Sequence, residues 1–258
     1  MSEGSIRGWT AALVACAVAP VLAGATSARA QEPASTPVTP PSSALRGGAA
    51  PERFLLYGGF DIWRYGGSGY AGGQWAPRGL NNDGFVLSIF ASDGVHRFDT
   101  AAICYRTMIF RAAIMPGWRF KRGNLEVKVF AGPDFERDDY SPVIVPSRAH
   151  ASQFGARVAT DLWWEPNRRM MVAASASATS IAHGYSGRAA AGWRVLNAAW
   201  VGPEIAVSSD RFSDQYRLGA HLTGLRTGAF EWSLAAGYVR DSFSRGGLYG
   251  RIGVLTRR

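Results

Sequence analysis

From Tyr216 to Leu225 the chain reads "YRLGAHLTGL", and from Phe230 to Tyr238 it reads "FEWSLAAGY". In the first, Tyr216, Leu218, Ala220 and Leu222 alternate with Arg217, Gly219, His221 and Thr223. In the second, Phe230, Trp232, Leu234, Ala236 and Tyr238 alternate with Glu231, Ser233, Ala235 and Gly237. Strict alternation has the period of a β-strand and no helix can present it as one face. The intervening "RTGA" is a turn, so the pair predicts a hairpin. "LEVKVFAG" (125–132) behind the turn "KRGN", and "QFGARVATDLWW" (153–164), repeat the habit.

The apolar face could point inward, as in a soluble sandwich or barrel, or outward to lipid around a polar interior. The polar face carries Arg157, Asp161, Arg188, Arg194, Glu204, Arg217 and Glu231 among glycines and alanines. Small residues between charges suit a crowded interior better than a surface open to bulk water. The apolar face also places Tyr216, Trp232, Tyr238, Trp164 and Trp193 near strand ends, as an interfacial girdle requires. The expected fold class is all-β: an antiparallel, up-and-down transmembrane barrel, with a soluble β protein as the alternative. The best decoy for a spanning helix, "MMVAASASATSIAHGYSG" (170–187), is too rich in Ser, Thr and small residues.

Ten strands are expected between residues 84 and 257. "FLLYGGFDIWRY" and "YAGGQWA", joined at "GGSG", make twelve. An even count returns both termini to the periplasm. The short connections "PRGLNND", "KRGN", "EPNRR", "LNAA" and "RTGA" then fall on the periplasmic side. The longer ones, 95–103 and 137–149 among them, fall outside the cell. In "GGFDIWRYGGSGYAGGQWAP" the glycines allow close approach and turning. Phe60, Ile62, Tyr65, Tyr70 and Trp75 are expected to face lipid or the interface, and Asp61 and Trp63 the lumen.

Ahead of the barrel, Arg7, the apolar Thr10–Ala25 and "SARA" form an export signal over 1–30, cleaved before Gln31. "LVAC" offers a rival lipoprotein reading in which Cys16 carries lipid. Ordinary cleavage leaves Cys104 as the one cysteine, so no intramolecular disulfide is expected. Residues 31–53 hold five of the thirteen prolines and no aromatic residue, the composition of a disordered tether. The barrel is expected over 54–258. The formal charge of +9 becomes +8 once Arg7, Arg29 and Glu3 are removed. A basic exported protein is expected to meet outer-membrane lipid, lipopolysaccharide or polysaccharide, and no nucleic acid.

The segments "GGFDIWRYGGSGYAGGQWAP", "PGWRFKRGNLEVKVFAGPD", "DLWWEP", "GWRV", "GPE" and "RLGAHLTGLRTGAFEWSLAAGY…GLYGRIGVLTRR" resemble the alphaproteobacterial cellulose biosynthesis protein BcsS family, over about Leu56 to Arg258. The resemblance implies an outer-membrane barrel that supports cellulose synthesis and secretion, with a glucan chain and secretion components as partners. It brings no catalytic set and no cofactor. Asp61, Trp63, Arg194, Glu204, Arg217 and Glu231 carry over as motif positions, with interior ion pairs as their expected role. Flat sugar faces pack on aromatic rings, so a lumen Trp63 or Trp163 could stack on a sugar. The ending "GVLTRR" departs from the terminal aromatic residue of many such barrels.

Enzyme and metal chemistry leave little trace. A hydrolase needs a serine beside an oriented histidine; no serine is paired by pattern with His96, His150, His183 or His221, and "GYSG" lacks the strand-turn-helix setting of a nucleophile elbow. Glu136, Asp138 and Asp139 could hold a hard cation, but a loop charge run is ordinarily solvated. "GGSGYAGG" lacks the Lys-Ser/Thr ending of a phosphate loop. The sequence reads as a non-enzymatic barrel, without metal or cofactor, that is a conduit or scaffold for cellulose export. A general diffusion porin and an outer-membrane lipid hydrolase are the alternatives.

Overall fold

The computed structural model describes residues 52–99, 104–141, 150–211 and 213–258. The export signal over 1–30 and nearly all of the tether lie outside the described residues. Glu52 and Arg53 are hydrogen-bonded to the barrel: the Leu80 amide donates to the Glu52 carbonyl (2.7 Å) and the Ala76 amide to that of Arg53 (2.9 Å).

Twelve strands follow one another: β1 (Phe54–Trp63), β2 (Gly66–Trp75), β3 (Gly84–Asp99), β4 (Cys104–Arg122), β5 (Leu125–Ser141), β6 (His150–Asn167), β7 (Met170–Thr179), β8 (Tyr185–Val195), β9 (Ala199–Ser209), β10 (Asp214–Thr227), β11 (Phe230–Asp241) and β12 (Gly246–Arg257). Each pairs antiparallel with its sequence neighbours, and β1 pairs with β12, from Leu55 opposite Arg257 to Trp63 opposite Tyr249. Closure leaves no unpaired edge in the barrel wall, which is what a sheet in hydrocarbon requires. Among the described residues no helix is long and apolar enough to cross a membrane.

Large apolar side chains point outward all round the wall. Phe60, Leu218 and Phe154, on three well-separated strands, are 66%, 64% and 83% exposed, while their charged neighbours Asp61, Arg217 and Arg157 turn inward. A soluble monomer does not present a continuous apolar belt of that kind. The chain is a transmembrane β-barrel, and the soluble alternative fails on this face. Strands of 10 residues, such as β1, β2 and β7, suffice to span. By contrast β3 and β5 continue to Asp99 and Ser141, into stretches expected to be outer loops. Cross-strand pairing of Val95 with Met108 and of Met108 with Asp139 carries the ladder into them.

The opening hairpin turns earlier than its glycines predict. Arg64 and Tyr65 form the turn, and Gly66–Gly69 lie inside β2. Tyr70 is a second correction, since it is buried inside the barrel and not at the lipid interface. The glycines explain both. Tyr57 stands directly opposite Gly72, and Gly59 opposite Tyr70. A Cβ on Gly59 or Gly72 would meet the opposing tyrosine hydroxyl at 2.5 Å. Each ring therefore lies across the bare backbone of a glycine, an arrangement that fills a barrel interior while the strands coil. Gly59→Leu should destabilise the barrel by about 1–3 kcal/mol through overpacking. The loss would be read as a lower urea midpoint in detergent micelles, and Tyr70→Ala in the same chain should restore part of it.

Candidate functional site: the packed barrel interior

Alternation sends one residue in two into the barrel, and the interior is built from apolar clusters and charged clusters. Near the end that holds the termini, the 76–83 turn folds under the wall. Ala76 and Leu80 pack with Leu55, Val86, Met115 and Phe130 in one apolar cluster. The Arg119 guanidinium donates to the Leu80 carbonyl and lies 3.3 Å from Glu126, which Lys128 also approaches at 3.3 Å. Asp161 stands opposite Lys128 in the β5–β6 register. Across the barrel, Trp163, Met171, Ala173 and Trp200 form a second apolar cluster. The Trp163 indole donates to Glu165 (3.1 Å), and Arg194 lies 3.8 Å from Glu165 and over the Trp200 ring. Glu231 lies 3.5 Å from Arg226 and 4.0 Å from Arg257.

Charged pairs fill the middle. Glu204 accepts from Arg188 (Nε, 2.9 Å) and Arg251 (2.5 Å), with the Tyr249 hydroxyl at 3.5 Å. Arg217, from β10, reaches Asp61 on β1 at 2.6 Å and lies over the Tyr249 ring. Arg157 meets Asp134 at 3.1 Å and Ser177 at 3.4 Å. In the half toward the outer loops, Glu136 accepts from Arg111 (2.6 Å) and from Arg211 (3.0 Å), and Arg211 also meets Asp138 at 2.9 Å. Charges this far from water are tolerated because each has an opposite charge at hydrogen-bonding distance.

The structure brings the sequence-derived positions together in part. Asp61 and Arg217 form one pair, and Arg188 and Glu204 another, whereas Arg157, Asp161, Arg194 and Glu231 belong to separate clusters. Trp163 is 1% exposed and packed on all sides, and Trp63 is enclosed by Val239, Tyr249 and the edge of the Tyr65 ring. Neither ring offers a bare face for a sugar in this packing. Sequence pattern missed Arg251, the second cation on Glu204, although "GRIG" on an alternating strand marks it as inward-facing. It also missed Arg111, whereas the alternation in "LEVKVFAG" sets Lys128 on the polar face, and that face is found inside.

Other candidate groups are engaged elsewhere. His221 contacts the Thr223 hydroxyl (3.0 Å) and the Ala191 carbonyl (3.2 Å). The acids considered for a cation face arginines: Glu136 and Asp138 as above, and Asp139 with Arg137 at 3.4 Å. Among the described residues no cluster of His, Cys, Asp and Glu could hold a metal ion.

Solved structures similar to this chain include the KdgM porin (12% identity, 78% of this chain and 98% of that one, TM-score 0.45). The translocator domain of autotransporter NalP from Neisseria meningitidis (14%, 84% and 92%, 0.43) and the transport unit of autotransporter AIDA-I from Escherichia coli (10%, 83% and 92%, 0.44) are also similar. Likenesses this distant carry nothing about function. No functionally curated protein matches the chain in sequence. The family comparison is specific: the model of the cellulose biosynthesis protein BcsS family matches residues 55–258, from the second residue of β1 to the last of the chain. The chain belongs to the cellulose biosynthesis protein BcsS family.

Proposed function

We propose that this barrel is a non-enzymatic outer-membrane scaffold for cellulose secretion, and that the glucan chain does not pass through its interior. The observation that supports this reading is burial. A water-filled channel leaves its lining accessible, yet Arg119, Lys128, Trp163 and Glu204 are each 1% exposed. These four come from β4, β5, β6 and β9, and β1, β8 and β12 add the inward-facing Asp61, Arg188 and Arg251, all buried. A glucan would have to displace both the ion pairs and the apolar clusters beneath them. In this reading the signal over 1–30 is cleaved after Ala30, and residues 31–53 remain in the periplasm as the tether that meets secretion components. The family's cellulose role and the outward apolar belt support the outer membrane as the location.

The test pairs two measurements. The purified barrel in planar bilayers should give no steady conductance. Deleting the gene should lower cell-surface cellulose several-fold, while membranes from the same cells keep their glucan synthase activity. Steady conductance with unchanged cellulose would mean a general porin, and release of fatty acid from outer-membrane lipid by the purified chain a hydrolase. Conductance together with loss of cellulose would overturn the scaffold in favour of a conduit.

A further inference from the structure

A shallow groove of about 500 Å³ crosses the outer wall of β9–β12 and β1 and is lined almost wholly by apolar atoms. The strand registers explain its shape. Ile62, Gly250, Ala236 and Ala220 stand side by side on β1, β12, β11 and β10, so beyond Ile62 the row presents nearly bare backbone. Two residues nearer the termini, Phe60, Ile252, Leu234 and Leu222 form one bank. Two residues the other way, Leu248, Tyr238 and Leu218 stand in register as exposed apolar side chains between the groove and the outer rim.

The groove runs diagonally. Ile62 lies one residue from the outer end of β1, whereas Gly250, Ala236 and Ala220 lie four, five and six residues inside the outer ends of β12, β11 and β10. Its head is therefore at the extracellular rim on β1, and it sinks into the hydrocarbon toward β10. At that head the rim is cationic. Arg64 sits in the β1–β2 turn, and Arg240 lies on β11 two residues beyond Tyr238; both are exposed. Farther round, Arg97 on β3 and Arg106 on β4 are also exposed and face each other directly in register. Like charges placed directly opposite repel and destabilise the pair. Among the described residues none of these four arginines has an acidic partner. Arg64 lies over the Tyr65 ring, and an apolar groove that descends from guanidiniums without an acidic partner is complementary to an anionic headgroup carrying acyl chains.

We infer that this face binds a phosphorylated, multiply acylated lipid of the outer leaflet, its phosphates on Arg64, Arg240 and the Arg97–Arg106 pair and one acyl chain along the groove. Guanidinium is suited to phosphate because its planar fork donates two parallel hydrogen bonds. The inference rests on the outer-membrane placement and is independent of any role in cellulose export. An acidic polysaccharide would use the arginines and leave the groove unused.

The test is lipid retention by the intact, delipidated barrel in detergent, followed by native mass spectrometry. The probes are lipid A, its dephosphorylated form, and the deacylated bisphosphorylated disaccharide. Lipid A should bind at least about tenfold more tightly than either of the others, since charge-assisted hydrogen bonds and apolar burial both contribute. The double variant R64Q/R240Q should lose about tenfold in lipid A affinity, and Ala236→Phe, which blocks the groove from the lipid side, a similar factor. Both changes lie on the outer face, and an unchanged heat-modifiable gel shift will show that the barrel is folded. Equal binding of the dephosphorylated lipid, equal binding of the deacylated disaccharide, or full affinity in both variants would each overturn the inference. Cellulose output plays no part in the readout, so its outcome bears only on the scaffold reading.

Discussion

Replacing Glu204 with alanine should lower the stability of the barrel by about 3–5 kcal/mol, the largest effect expected of any single substitution at the interior charges. Glu204 is 1% exposed, and one of its carboxylate oxygens accepts from both Arg188 and Arg251, themselves 8% and 6% exposed. Truncation leaves two buried guanidiniums without their shared counter-charge. The penalty belongs to the unpaired cations and not to the loss of the carboxylate as such. The triple variant E204M/R188M/R251M, which removes all three charges at similar volume, should therefore recover most of the loss. Urea unfolding in micelles, followed by tryptophan fluorescence, would measure both. A midpoint for E204A equal to that of the wild type would show that water reaches this cluster, and would undercut the argument that the interior is filled.

The register of this network shows what the sequence made legible. Glu204 and Arg217 could be placed inside from alternation alone, because a strand of known phase sends every second residue inward. The same logic yields the strand count, ten between residues 84 and 257 and two before them, but assigns the outer ends of β3 and β5 to loops. It failed where phase was ambiguous. In "GGSGYAGGQW" glycine occupies both faces, so no amphipathic pattern fixes which side Tyr70 takes, and the glycines, not Arg64–Tyr65, read as the turn. Partner choice was not legible at all. Arg217 pairs with Asp61, 156 residues earlier, only because β1 closes the barrel against β12, next to β11 and β10. Arg188 and Glu204 pair locally, on the neighbouring strands β8 and β9, but Arg251 reaches the same carboxylate from β12, past β11 and β10, only because the sheet curls into a barrel. Closure brings together residues that no local pattern relates, and so the clusters, and the filling of the lumen, emerge only in three dimensions.

The outer mouth provides the second large effect. Arg211 belongs to the β9–β10 connection, and its partners Glu136 and Asp138 are on β5, with β6, β7, β8 and β9 between them in the wall. Neighbouring strands cannot bring these groups together; the arm reaches them only by crossing the mouth. A second tie starts from the β11–β12 turn, where Arg245 pairs with Asp241 at 2.6 Å and donates to the Arg97 carbonyl of β3 at 2.9 Å. Arg211→Ala should cost about 1.5–3 kcal/mol, the range for hydrogen bonds to charged groups. Arg211→Glu should cost more, because it adds a third carboxylate to Glu136 and Asp138. In R211E the β9–β10 connection should become cleavable by an external protease several-fold faster than in the wild type, while the barrel keeps its heat-modifiable gel shift. Its conductance in planar bilayers should nevertheless stay as low as that of the wild type, since the Glu204 cluster and the Trp163 and Leu80 packing beneath the mouth are untouched. A steady current through R211E alone would place the seal at the mouth, make Arg211 the bolt of a gate, and return the interior to the candidates for a glucan path.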